Sequence, residues 1–529
     1  MMQFRKQPSD RRGVVLIVVL VLVVMIALAG FGFVVEMTTE YEATKINGDL
    51  LQAQQVMASA ECYVMTQAQR MKQSPSSSDE FGATDRTAVF QAVTLRSFDT
   101  ASSDVEGRLS DSEWRFAVVK NLASFDAQQR QSQIQSAEGL LEQLDGFSEL
   151  DSPEFGLRNE SSKLNLGRVL YWDTVEPGRG RRALMNIPGM TNEAADSILD
   201  WLDEDDTPRQ FGAEADYYRQ QQLNVQPRNG MPETLTELLL VRGVNRAAYF
   251  GSGSLVASEA TPGWEGFLTL TSAESTDSNP PKLAVNELTR ADLSTFEQEL
   301  AQSVSEDVAR YVVLSLMFGV TTSAEPANAV SPLTVDLTTL TIDSVSGSLQ
   351  LPDLIDSVVS LSDENGELFV ASPLNSEDPA DLQTFARLEQ LLTTDDTLLP
   401  VIRGRINLLE ASEEVLRALT DDPATASQIV QQRESLSDDE RKSSVWLLSR
   451  RVLDVTEYRN LYADITTRGD VYSGEIIVYR AVGGPFLRRK ITIDAANGSA
   501  TRVNWQDRSS IPLPVTLRQL EPSTESMLR

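Results

Sequence analysis

The chain has 529 residues, with 77 acidic side chains against 46 basic ones and a net charge of −31. So acidic a chain is repelled by phosphate backbones, which argues against nucleic acid as a partner. It has no histidine and one cysteine, Cys62, which excludes histidine-based nucleophilic dyads, histidine-ligated zinc or haem, intrachain disulfides and cysteine-cluster metal sites.

Residues 1–13 carry Arg5, Lys6, Arg11 and Arg12 against Asp10. Residues 14–35 then run without a charge, long enough to cross a hydrocarbon core of about 30 Å, and Glu36, Glu40 and Glu42 follow. The basic side should stay cytoplasmic, which places the rest of the chain across the membrane. Three readings of this start are open. It is an uncleaved anchor, a signal peptide cut after Ala27-Leu28-Ala29, or a leader cut between Gly13 and Val14, where a basic segment ends in glycine directly before the apolar run. Residues 37–72 favour the third. They contain no proline, and Ile46, Leu50, Ala53, Val56, Met57, Ala60 and Val64 recur at helical spacing. One helix from about Val14 to about Met71 would be about 85 Å long.

The Ser/Asp/Thr-rich stretch 73–112 reads as linker, Trp114–Lys120 as a strand, about 125–146 as a polar helix and Phe155–Leu166 as a strand or hairpin edge. Arg182–Phe250 is helical in pattern. Turns at Ile187-Pro188-Gly189-Met190 and at Gly243, after a helix-like block over 234–244, look like helix-hairpin-helix elements. The strings Lys163-Leu164-Asn165-Leu166, Lys282-Leu283-Ala284-Val285-Asn286 and Arg405-Ile406-Asn407-Leu408 form a weak repeat of strand-to-helix passages. In the last, Ser412 is an expected N-cap, with Leu416 and Leu419 facing a core. Alternating strands cover 464–505. The resulting division is leader 1–13, transmembrane helix 14–35, its amphipathic continuation 36–72, an α/β part 73–170, helical parts 183–250, 282–319 and 391–460, a linker 251–281, a β-rich insertion 320–390, closing strands 464–505 and a tail 506–529.

The leader and the helix behind it resemble those of type IV pilins and pseudopilins. The fifth residue after Gly13, a glutamate in most of that class, is Val18 here. That omission is similar to the minor pseudopilin K of type II secretion, the general secretion pathway protein K family. The string Asp200-Trp201-Leu202-Asp203-Glu204-Asp205-Asp206, then Pro208, Gly212-Ala213-Glu214 and Tyr217-Tyr218, resembles that family's signature, as do Leu238–Val244, Arg405–Leu419 and Thr467–Tyr472 more loosely. The resemblance implies an α+β fold. A pilin-like spine helix packs on an antiparallel sheet, and a large mainly helical domain is inserted before the last strands. It also implies cleavage by prepilin peptidase at Gly13–Val14 and a single-pass bacterial inner-membrane anchor with a periplasmic C-terminal part. The implied role is at the tip of a pseudopilus, with the other minor and the major pseudopilins as partners, and secreted cargo or the outer-membrane secretin as further ones; the alternatives are an exported, calcium-stabilised binding or adhesion protein released by signal peptidase and a membrane-anchored DNA receptor.

The acidic cluster suggests a metal. So many carboxylates at a helix C-terminus oppose the local dipole, and an oxygen-only set suits calcium. The candidate ligands are Asp200, Asp203, Asp205, Asp206, Glu214 and Asp216; the EF-hand frame is absent. Calcium is also what the family resemblance implies here. The alternative is a solvated acidic turn with Arg209 as partner. Among so many acidic residues no paired-carboxylate spacing stands out, and no enzymatic activity is expected. Cys62 reads as a small buried residue.

Overall fold

The computed structural model describes residues 12–73, 89–94, 113–120, 153–222, 225–252, 261–277, 281–289, 291–322, 328–337, 349–363, 366–394, 401–511, 513 and 517–522. It is an α+β structure with a long N-terminal helix. Helix α1 spans Arg12–Gln73 without a break, about 93 Å at 1.5 Å per residue. Its apolar first part is long and hydrophobic enough to cross a membrane, and Leu16, Phe31 and Val34 lie open on its surface. Farther along, Ala53, Met57, Ala60, Val64 and Ala68 are buried at three- and four-residue spacing, one stripe of the helix laid on a sheet.

That sheet holds strands β1 (Val93–Thr94), β2 (Trp114–Val119), β3 (Arg158–Asn159), β4 (Val471–Arg480), β5 (Leu487–Asp494) and β6 (Thr501–Asp507). Their order is β1-β2-β4-β5-β6, with β3 also on β4, and every pairing is antiparallel. Glu475 stands opposite Val119, and Arg480 opposite Trp114. The expected strands at 114–120 and 464–505 thus meet as neighbours across the inserted helical domain. Alternation along β4 turns Arg480 toward α1, where it meets Asp49, and turns Ser473 and Glu475 toward the opposite face.

The inserted domain has its own core, running from Leu164 to Ile465. It includes helices α2 (Leu166–Val175), α3 (Arg179–Met185), α4 (Asn192–Leu202), α5 (Ala215–Gln220), α6 (Glu306–Phe318), α7 (Glu413–Thr420) and α8 (Pro423–Arg433). Ser412 caps α7, and Leu416 and Leu419 are buried. The weak sequence repeat has a structural counterpart. Leu164–Asn165 pairs in parallel with Leu268–Thr269, Leu283–Ala284 with Leu392–Thr393, and Ile406–Asn407 with Ile465–Thr466. Each string opens a lobe that a two-residue parallel pair closes. The first and third lobes share their chemistry as well. Asn165 and Asn407 each accept a backbone N–H two residues ahead. Thr269 and Thr466 each donate to a buried glutamate, Glu160 and Glu274. Those carboxylates pair with the basic residues that begin the strings, Lys163 and Arg405.

A buried ionic network joins this domain to the sheet. Glu160 takes Lys163 and Ser473, while Glu265 takes Lys490 at 3.0 Å and Arg508 at 2.8 Å. Arg508 also reaches Glu475 at 2.7 Å.

Several expectations need adjustment. Trp264, Phe267 and Leu268 fall in the stretch read as linker 251–281, yet they are buried; Trp264 donates its indole N–H to the Pro188 carbonyl at 2.9 Å. Glycine and serine around them hid three core residues. Within 320–390 the hairpin Val358–Asp363 and Gly366–Ala371 is followed by a helix, Pro379–Leu391. The block at 234–244 forms a short 3-10 turn, Leu235–Leu240. Leu520 in the tail is buried and accepts from the Tyr479 hydroxyl. Cys62 is exposed, because the stripe that meets the sheet runs through Ala60 and Val64. The helix expected at 125–146 and most of the 73–112 linker lie outside the described residues.

Candidate metal centre

Helix α4 begins with Thr191, whose hydroxyl accepts the Ala194 N–H at 3.1 Å. Its packed positions Ala194, Ala195, Ile198, Leu199 and Leu202 are those the sequence pattern gives. Gly189 and Gly243 hold φ of +72° and +80°, a conformation that glycine adopts without a side-chain penalty. The acidic string leaves the end of α4, turns at Phe211-Gly212, and returns through Glu214 to α5.

Arg209 organises this turn. Its guanidinium meets Asp173 of α2 at 2.9 Å, Asp200 at 2.8 Å, and Asp203. Its backbone N–H also points to both Asp200 oxygens, each at 3.2 Å. Asp200 is fully buried, and burial raises its pKa while Arg209 opposes the rise. Beside it, Arg181 pairs with Asp196, which accepts the Phe211 N–H at 3.0 Å. Gly212 lies against Asp200, so that a Cβ there would stand 1.9 Å from Oδ2.

One guanidinium cannot balance so many carboxylates. Asp203, Asp205 and Glu214 present oxygens that all lie within 4.8 Å of one another. Glu214 is 3% exposed, and neither of its oxygens has a hydrogen-bond partner; Asp203 Oδ1 is likewise buried and unmatched. Burial, with repulsion from Asp200, Asp203, Asp206 and Asp205, pushes the Glu214 pKa up to about 8. Buried acceptors with no donor are costly, and a cation beside the exposed Asp205, which accepts the Thr207 N–H at 2.7 Å, would satisfy Glu214 and Asp203 Oδ1 together.

The six predicted ligands therefore separate. Asp203, Asp205 and Glu214 converge. Asp200 is committed to Arg209. Asp206 accepts from Asn229 at 3.2 Å, and Asp216 faces solvent beside Arg219 at 2.7 Å. Asp173, Asp196 and Arg181 carry no local sequence signal for this site, since they come from α2, α4 and α3 and meet only in the fold. Arg209 pairs with Asp173, Asp200 and Asp203, while Asp205 and Glu214 form no ion pair among the described residues.

Residues 164–251 match the family model described as type II secretion system (T2SS), protein K. The match contains the whole acidic turn and both glycine turns, and it bears out the resemblance to protein K. No curated protein matches the chain.

Proposed function

We propose that the chain is a minor pseudopilin of a type II secretion system, cut after Gly13 by prepilin peptidase, that nucleates a periplasmic pseudopilus and caps its tip. The observation that carries this reading is the protein K match at 164–251, in a helical domain mounted on a sheet and a 62-residue helix with an apolar first part. In pilin-like terms α1 is the spine, anchored in the inner membrane with its basic end in the cytoplasm. The helical insert has a core running from Leu164 to Ile465, a bulk that suits an end position better than a shaft. Val18 supports the same place. A subunit without a carboxylate there offers nothing to neutralise a neighbour's terminal amine in hydrocarbon, and the first subunit has no earlier neighbour to serve. Its partners would be the other minor and the major pseudopilins, with cargo or the secretin beyond the tip. The role is assembly, not catalysis.

Calcium is proposed as the cation of the acidic turn, held by Asp203, Asp205 and Glu214. Its bonds of about 2.3–2.6 Å can bridge the spread of those oxygens. The ion would fix the turn between α4 and α5.

N-terminal sequencing of the processed protein, with crosslinking to the other pseudopilins in cells, tests the assignment. The expected chain starts at Val14 and crosslinks to them through α1. A start near Gly30, or a Val14 chain that joins no pseudopilin, overturns it.

A further inference from the structure

Between the sheet and the helical insert lies a cleft of about 1610 Å³, larger than the roughly 300–1,000 Å³ of a small-molecule site. In a chain where acidic residues far outnumber basic ones, the lining of this cleft carries nine basic side chains against seven acidic ones, and two of its walls carry arginines outside any ion pair among the described residues. On the sheet side, Arg158 of β3 gives its Nε–H to the Ser162 hydroxyl at 3.1 Å. On the helical side, Arg433 of α8 donates to the Leu408 and Ala411 carbonyls, and Arg441 donates to the Leu436 and Arg433 carbonyls. None of the three forms an ion pair among the described residues. Carbonyls satisfy donors but leave the charge in place. Burial lowers the pKa of Arg158 and of Arg433, and Glu410 is the acidic group that acts on both. Gln67 of α1 also lines the cleft, 4% exposed, with its side-chain oxygen free of any donor.

We infer that this cleft is a docking groove for an acidic peptide segment of a partner protein, its carboxylates taken by Arg158 on one wall and by Arg433 and Arg441 on the other. A free anion would need only one wall. A chain segment engages both, and partly exposed apolar lining at Ile402 and Leu409 gives its side chains somewhere to lie. The small surplus of positive charge in the lining, nine basic side chains against seven acidic, opposes the sign of the chain as a whole, so a preference for acidic segments follows from the field. This groove is separate from the acidic turn and does not depend on the secretion reading.

The test uses the full chain in non-ionic detergent and a fluorescein-labelled twelve-residue peptide of alternating Glu and Ala, read by anisotropy in about 150 mM salt. The probe should bind saturably, and its Gln-Ala counterpart should not. Arg433→Gln with Arg441→Gln should weaken binding about tenfold or more while keeping a cooperative unfolding transition, and millimolar inorganic phosphate should not displace the peptide. If that double variant loses its fold, Arg158→Gln on the other wall takes its place, with the same expectation. The inference is overturned by any one of four results. These are no saturable binding, equal binding of the Gln-Ala peptide, equal binding by a folded variant, and displacement by phosphate, which would make the groove a free-anion site.

Discussion

Arg480 at the end of β4 holds Asp49 of α1 through two hydrogen bonds, 3.2 and 2.7 Å long. The same guanidinium stacks on Trp114 of β2 at 4.7 Å. Both charges are largely shielded from solvent, and together they tie α1 to the sheet just before its stripe of small residues begins at Ala53. Asp49→Ala leaves a half-buried guanidinium with only an aromatic face. The expected loss is about 1–3 kcal/mol, read from urea unfolding. A double-mutant cycle with Arg480→Ala should return a coupling of about 1 kcal/mol.

Acid should weaken the junction between the insert and the sheet. Burial alone would raise the pKa of Glu160 and Glu265, but Lys163 outweighs it for the first, and Lys490 with Arg508 for the second. Both pKa values are lowered from 4.5 to about 2. A carboxyl whose folded pKa lies below its unfolded one contributes stability that is whole above pH 4.5 and drains away as pH falls toward 2. The unfolding free energy from urea titrations should drop between pH 5 and pH 3, and by on the order of 3 kcal/mol for Glu265 across its whole window. Glu265→Gln should start less stable at neutral pH and lose less over that interval.

Calcium should stabilise the chain through the acidic turn. At free calcium about a hundredfold above its dissociation constant, the gain is about 2.7 kcal/mol, visible as a rise in Tm that chelation reverses. Glu214→Gln should abolish the rise, while Asp216→Asn, on an exposed carboxylate beside Arg219, should leave it intact. A rise that survives Glu214→Gln would place the ion elsewhere.

Two glycines on either side of α4 should respond differently to alanine. At Gly212 a methyl would drive into the Asp200 carboxylate and lever it away from Arg209, a crowding cost of about 1–3 kcal/mol. It should also weaken any calcium response. At Gly189 nothing lies within 4 Å, and only the φ of +72° is unfavourable, for about 1–2 kcal/mol. Chemical denaturation of both variants, with and without calcium, separates crowding from backbone strain.

Much of the frame is legible before any coordinates. The uncharged run after Gly13 and the spacing of Ala53, Met57, Ala60 and Val64 are local patterns with one solution, a long helix greasy first and striped later. Trp114–Val119 and the strands after Val471 read as strands for the same reason. Their adjacency across some 350 residues is a tertiary fact that only the bracketing order hinted at. Trp264 and Phe267 were hidden by glycine and serine neighbours, because burial here depends on what Pro188 and its turn bring to them. The acidic turn was visible as a charge excess. The division of labour within it was not, since it hangs on Arg209 reaching across to Asp173. The basic cleft left no trace in the sequence, as its arginines lie far apart along the chain.

The paired two-residue bridges have one more consequence. A lobe whose first and last residues lie side by side behaves as a cassette. Chain can be added at a loop within it while the frame outside stays where it is. Related chains of very different length could therefore share one sheet and one anchoring helix, and Leu283–Thr393 is a natural place to graft a foreign segment.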